Sequence, residues 1–377
     1  MKRKTIAVLL IISMLCMTTC ISCGQTEVSR SVTAESSAQE KTAGAAEPVL
    51  FENLVSPCEI TGYKTYQGRY KSMFLSKGDR IAVIAPSAIP SQEQVDATIE
   101  GLKKWGYEPV EGKHVREQKR SLQDCYEDLK WALKDETIKA IFCVRGGYAA
   151  SEVMDITSAD LIKKAKKLII GYSDITIYHS AWSTVGLPSV HASMSAAFTD
   201  LPKACADAQE QMLKGEIPTY KCQGNQYCKK GTAKGVLIGG NLTTVISTVN
   251  TAYDCTQTDQ PYILFIEAVE ESMQRLHRYL TILKHMGVLD KAQGIVIGEL
   301  TDVPADMAAC DYDGTSRGGE FASAEDMICR QFLEEYDIPV AFGFPAGHGE
   351  MNYPLLLGEE ASLNVTEDGC TLEWMPE

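Results

Sequence analysis

Leu168-Ile169-Ile170-Gly171-Tyr172-Ser173-Asp174-Ile175-Thr176 changes character at its glycine. The three apolar residues before it end a strand buried on both faces. From Ile175 to Trp182 the spacing is that of a helix. Ser173 therefore falls on a tight strand-to-helix turn, lifted clear of the sheet with a helix N-terminus beneath it. Backbone N–H groups at such a terminus can receive a developing oxyanion, so this placement suits a nucleophilic serine. Ser-Asp before a helix is equally the pattern of an ordinary cap, and the turn alone does not choose between them.

The same alternation continues outward. Ile81 to Pro86 and Ile138 to Val144 are continuous apolar runs. Between them Val95, Ile99, Leu102 and Trp105 recur at helical spacing, and Ser121 with Asp124 opens another helix. Strands alternating with helices predict parallel βαβ units and an open, flavodoxin-like α/β sheet, with ligands at the carboxyl ends of its strands. Arg145-Gly146-Gly147-Tyr148 and Ser173 both lie on that edge. Pro202 to Lys234 is less apolar and reads as a crossing. Beyond it come Gly239-Gly240-Asn241-Leu242, the strand Tyr262–Ile266 ending in Glu267, a helix bearing Leu276, Leu280 and Leu283, and the strand Gly294–Leu300. Asp302 to Ala324 reads as an inserted surface loop. The expected organisation is a leader at 1–22, a tether at 23–50, an N-terminal α/β domain at 51–205, a linker at 206–234 and a second, smaller α/β domain at 235–377. The active site is expected between the two.

With 45% hydrophobic and 23% charged residues, the chain is ordinary globular protein. A formal charge of −14 with no basic, aromatic-interleaved patch excludes nucleic acid as a partner. Lys2-Arg3-Lys4, the apolar run Thr5–Met17 and Ser22-Cys23 have the plan of a bacterial lipoprotein signal, with lipidation at Cys23; Cys20 is the alternative site. Residues 24–48 lack the large apolar side chains that would order them, so they read as a tether. The protein is thus expected to sit outside the cytoplasm, anchored to a membrane. That compartment permits disulfides, and Cys222 with Cys228 could close a small loop, whereas Cys143 reads as a buried side chain. No two CxxC motifs pair, and no HExxH occurs, so neither metal nor cofactor is expected.

A serine hydroxyl needs a base, and the base needs an orienting acid. Among six histidines, His348 lies between two glycines just past a strand and is the best candidate. His179 sits on the helix after Ser173 and should point away; His191 is the runner-up. Glu267 ends a strongly apolar strand, a costly place for a carboxylate unless it is paired. The bland alternative is a strand-end carboxylate capping a helix.

Five motifs in order, Arg145-Gly146-Gly147-Tyr148, Gly171–Thr176, Gly239–Leu242, Phe265-Ile266-Glu267 with Glu271, and Gly347-His348-Gly349 with Asn352, resemble the LD-carboxypeptidases of murein recycling. The resemblance spans about residues 75–370. It implies hydrolysis of the L,D amide bond that releases terminal D-alanine from a murein tetrapeptide, or, in the microcin-immunity branch, of an aminoacyl-nucleotide amide. It assigns Ser173 as nucleophile, His348 as base and Glu267 as acid. It places an oxyanion hole at the Gly147 and Asp174 N–H groups, substrate contacts at Arg145, Gly146, Tyr148, Gly240 and Asn241, and a homodimer. Ala149 and Ala268 stand where relatives commonly have Gly and Asp. A tethered solute-binding lipoprotein is the rival from another class; it requires no serine, acid and base at strand ends.

Overall fold

The alternation read along the first half builds one of two sheets in a computed structural model, which describes residues 58–304 and 321–374. In chain order the strands are β1 (Cys58–Thr65), β2 (Arg80–Ile84), β3 (Glu108–Glu111), β4 (Ile138–Cys143), β5 (Leu168–Gly171), β6 (Ser189–His191) and β7 (Glu216–Gln223). They continue with β8 (Gly231–Asn241), β9 (Tyr262–Val269), β10 (Ala292–Thr301), β11 (Val340–Phe342), β12 (Leu355–Leu357), β13 (Glu360–Val365) and β14 (Gly369–Trp374).

The six-stranded sheet runs β12-β6-β5-β4-β2-β3. It is parallel except for β12, which joins β6 antiparallel. Without β12 this is the flavodoxin-like order, which reverses between β2 and β4 and opens a crevice at their carboxyl ends. Ser87 follows β2 and Arg145 follows β4, so both stand at that crevice. The apolar runs explain the sheet: Ile81 to Ile84 and Ala140 to Cys143 are all fully buried. Each large side chain among them contributes about 1.5–3 kcal/mol of burial. Helices Gln92–Lys104 and Leu122–Lys134 cover it, each opened by a reciprocal capping box, Ser91 with Gln94 and Ser121 with Asp124.

The second sheet has eight strands, more than the first, in the order β1-β7-β14-β13-β8-β9-β10-β11. Strands β8 to β11 are parallel and the rest antiparallel. Residues 206–234, expected as a linker, instead carry most of helix Lys203–Leu213, all of β7 and the start of β8. Their alternating burial, not overall apolarity, marks β7 as a strand packed on one face. The halves also exchange strands: β1 joins the second sheet and β12 the first. Both sheets accordingly lie in one compact unit.

Cys222 bonds to Cys58, its direct partner in the β1–β7 register, and not to Cys228. The Cys228 sulfur instead accepts from the Phe342 N–H. Cys143 is fully buried within β4, as expected. The leader, the tether with Cys20 and Cys23, and most of the Asp302–Ala324 insert lie outside the described residues. Among the described residues no helix is long and apolar enough to cross a membrane.

One core group makes stability depend on pH. His179 is almost fully buried; its ring nitrogens meet the Ser189 hydroxyl and the Gly171 carbonyl, each at 2.9 Å. Burial lowers its pKa from 6.5 to about 4. Below pH 6.5 the unfolded chain binds a proton that the folded chain refuses, so stability is lost as pH falls from 6.5 towards 4. The expected loss at this residue is on the order of 3 kcal/mol, read by urea unfolding at a series of pH values. His179→Gln should lessen that slope, leaving the part due to His191, which burial shifts in the same direction; an unchanged slope would refute the assignment.

Candidate active site

Ser173 follows β5 with a φ of 64°, a left-handed conformation uncommon for any residue but glycine. A short 3₁₀ turn, Ser173–Ile175, then leads into helix Thr176–Thr184. His179 on that helix points down, its ring on the Gly171 carbonyl, so it supports the turn from below. Overhead, a Cβ on Gly146 would lie 3.0 Å from the Ser173 Cβ and 3.2 Å from its Oγ. Only glycine lets the loop after β4 approach the serine this closely.

The Asp174 carboxylate accepts hydrogen bonds from the Ser87 hydroxyl and, at 3.0 Å, from the Ala150 N–H. Burial raises its pKa. This side chain ties together the loops after β2, β4 and β5. The expected oxyanion donors, the Gly147 and Asp174 N–H groups, belong to two of the segments it ties.

Glu267 on β9 is completely buried, and His348 lies in the loop after β11. The imidazole Nδ1 stands 2.8 Å from Glu267 Oε2. Gly347 permits the approach: a Cβ there would sit 3.0 Å from that oxygen, on a backbone with φ 141°. The Gly347 N–H donates to Asn352 Oδ1 at 3.1 Å, and Asn352 Nδ2 donates to the Ser193 hydroxyl at 3.0 Å. Asn352 thereby fastens the histidine loop to the segment after β6. The His348 ring also packs 4.7 Å from the ring of Tyr172, next to the serine.

Ser173 and His348 line a single cavity of roughly 270 Å³, together with Arg145, Gly146 and Gly147. The serine comes from the six-stranded sheet; the glutamate and the histidine loop come from the carboxyl ends of two parallel strands, β9 and β11, of the eight-stranded one. Arg145 is exposed at the rim, where its Nη1 donates to the Ile89 carbonyl at 3.1 Å. Tyr148 is 79% exposed beside it. Gly240 and Asn241 lie elsewhere. Gly240 packs on Thr176, the Asn241 N–H donates to the Thr176 hydroxyl at 3.0 Å, and the Asn241 side chain caps helix Leu242–Thr248. They dock the second sheet onto the serine's helix and are not lining residues of the cavity. His191 is fully buried against Phe265 and Tyr172; among the described residues neither of its nitrogens has a hydrogen-bond partner, and burial holds its pKa well below the usual range.

Several residues at or beside the site escaped sequence reasoning, among them the lining residues Met194, Ser195 and Ala196. Gln94, on the first helix, lines the cavity. Glu299, near the end of β10, has its carboxyl pKa raised to about 7 by burial, against a lowering hydrogen bond from the Gly349 backbone, with the Glu267 charge adding to the rise. The signal that found Glu267, a carboxylate at the end of an apolar strand, was present at Glu299 as well.

Comparison with known proteins adds an independent observation. Residues 81–192 match the LD-carboxypeptidase N-terminal domain and residues 234–363 the LD-carboxypeptidase C-terminal domain. The chain belongs to the LD-carboxypeptidase family. A probable murein peptide carboxypeptidase of Bacillus subtilis is 28% identical over 318 residues, covering 81% of this chain and 94% of that protein. A crystal structure of muramoyltetrapeptide carboxypeptidase from Oxalobacter formigenes superposes with a TM-score of 0.67 at 24% identity, covering 78% of this chain and 97% of the other. The microcin C7 self immunity protein in complex with aspartyl sulfamoyl adenosine has the same fold, with a TM-score of 0.66 at 20% identity over 80% of this chain and 97% of that one. Membership makes this LD-carboxypeptidase relative a peptidase-type hydrolase, and the solute-binding reading loses its footing.

Proposed function

We propose that this family member is a serine carboxypeptidase that hydrolyses the L,D amide bond releasing terminal D-alanine from murein tetrapeptides. The observation that carries the reading is the 2.8 Å contact between His348 Nδ1 and a completely buried Glu267, on a ring sharing one cavity with Ser173. With Nδ1–H held by the carboxylate, Nε2 is the nitrogen left to accept the serine proton. Ser173 Oγ attacks the scissile carbonyl as His348 takes that proton, and Glu267 stabilises the imidazolium that forms. The Gly147 and Asp174 N–H groups receive the oxyanion. His348 then protonates the leaving D-alanine nitrogen, and water, deprotonated by the same histidine, releases the acyl group. No step in this scheme calls for a metal or cofactor.

Purified protein incubated with defined murein tetrapeptide should release free D-alanine, with tripeptide and pentapeptide as controls. Absence of release from the tetrapeptide would refute the proposal. The likeness to the microcin immunity protein favours one second reading, an aminoacyl-nucleotide amidase. Aspartyl sulfamoyl adenosine assayed in parallel separates the two.

Anchoring outside the membrane through Cys23 belongs to the same proposal. It is supported by the leader sequence and by the Cys58–Cys222 disulfide, a bond of oxidising compartments. Labelled palmitate should enter the wild type and be lost in Cys23→Ala; label retained by that variant would move the site to Cys20 or elsewhere.

A further inference from the structure

An enzyme that removes only the last residue of a peptide must read the chain end, and the chain end of its substrate is a carboxylate. From the cavity's lining we infer that Gln94 is the residue that reads it, by donating from its side-chain amide to the terminal carboxylate of the leaving residue. This rests on the carboxypeptidase reading above and names the residue that makes the site an exopeptidase.

Three observations carry it. First, Gln94 and Ser173 line the same cavity. A sphere of that volume is about 8 Å across, and one extended residue spans about 3.5 Å. In a cavity of this width, another residue of the lining stands within about one residue of the scissile carbonyl, within reach of the carboxylate of the leaving residue. Second, the amide is already oriented. Gln94 is the third residue of helix Gln92–Lys104, and its Oε1 accepts from the Ser91 N–H at 3.0 Å in the capping box. Holding the oxygen fixes the plane of the amide and leaves Nε2, with its two N–H donors, for a ligand. Third, the charge is right. The chain carries 50 acidic residues, yet the lining contains no Asp or Glu and one cation, Arg145. The N-terminal end of the Gln92–Lys104 helix adds positive dipole character on the same side.

The capping box also supplies the test. Glutamate forms the same box as glutamine, so Gln94→Glu keeps the helix start while replacing a donor by a like charge for the carboxylate. kcat and KM are measured for wild type and Gln94→Glu on two substrates, a murein tetrapeptide with a free terminal carboxylate and the same peptide with a C-terminal amide. On the free acid Gln94→Glu should lose about 10- to 100-fold in kcat/KM, mainly through KM. On the amide the loss should be under about threefold, because no carboxylate remains to be repelled. Thermal unfolding of the variant should match wild type. Gln94→Met, without donor or charge, should show the same selectivity at smaller size, which guards against a folding defect in the first variant. Equal effects on acid and amide, or none on either, in an active enzyme would overturn the assignment. A wild type that cleaves neither peptide instead refutes the carboxypeptidase reading beneath it, and the two failures are told apart by the wild type alone.

Discussion

Ser173→Ala is expected to cut kcat on a murein tetrapeptide by about 10⁴- to 10⁶-fold while leaving the fold intact. Without the hydroxyl no acyl-enzyme forms, and the residual rate reflects only binding and the oxyanion donors. The stability side of the experiment is as informative as the kinetic side. Ser173 has φ 64°, a conformation that costs a non-glycine residue about 1–3 kcal/mol. Alanine pays the same strain, so Ser173→Ala should unfold in urea within about 0.5 kcal/mol of wild type. Glycine does not pay it. After its larger loss of chain entropy, Ser173→Gly should come out about 1 kcal/mol more stable and equally inactive. Cleavage surviving in Ser173→Ala would sink the serine mechanism. A glycine variant no more stable than alanine would show that the turn holds no strain.

Leu168-Ile169-Ile170 is apolar without interruption and is followed at once by helical spacing, so the turn and its serine were legible. The partners were legible for a different reason. Glu267 lies near the end of an apolar strand, where an ionisable group needs a partner to be tolerated, and His348 lies between two glycines in the loop beyond another. That they partner each other depends on β9 and β11 flanking β10, an order local pattern does not carry. The same limit accounts for the errors. Residues 206–234 looked like a linker because β7 buries only alternate residues, and the Cys58–Cys222 pairing joins positions that meet only once β1 crosses to the second sheet. Asn241 resembled a substrate contact by its motif, yet its side chain is committed to a helix cap. Gln94 was hidden in a different way: nothing in its local pattern sets it apart, and only the structure shows that it completes a capping box and also lines the cavity with a donor to spare.

Glu267→Gln should lower kcat by about 10³- to 10⁴-fold, and it tests the pairing more sharply than removing the histidine would. Glutamine has nearly the same shape, so the loop carrying His348 stays seated on Asn352 and Tyr172. What changes is the charge: an amide can hold Nδ1 in the wrong tautomer, and it cannot stabilise an imidazolium. Stability should move the other way, unchanged or raised. Glu267 is completely buried, and among the described residues its Oε1 has no hydrogen-bond partner, so a neutral amide costs less to bury than the carboxylate. A strand-end carboxylate serving only as a helix cap would give the reverse, lost stability with activity kept. Glu299 provides a reporter independent of turnover. Its carboxyl is raised to about 7 by burial and, in part, by the negative charge of Glu267. Removing that charge should lower the Glu299 titration midpoint, which carbon NMR of labelled glutamate can follow in the inactive variant. A midpoint unmoved by Glu267→Gln would mean that Glu267 carries no charge beside His348, and the acid of the proposed triad would have to be sought elsewhere.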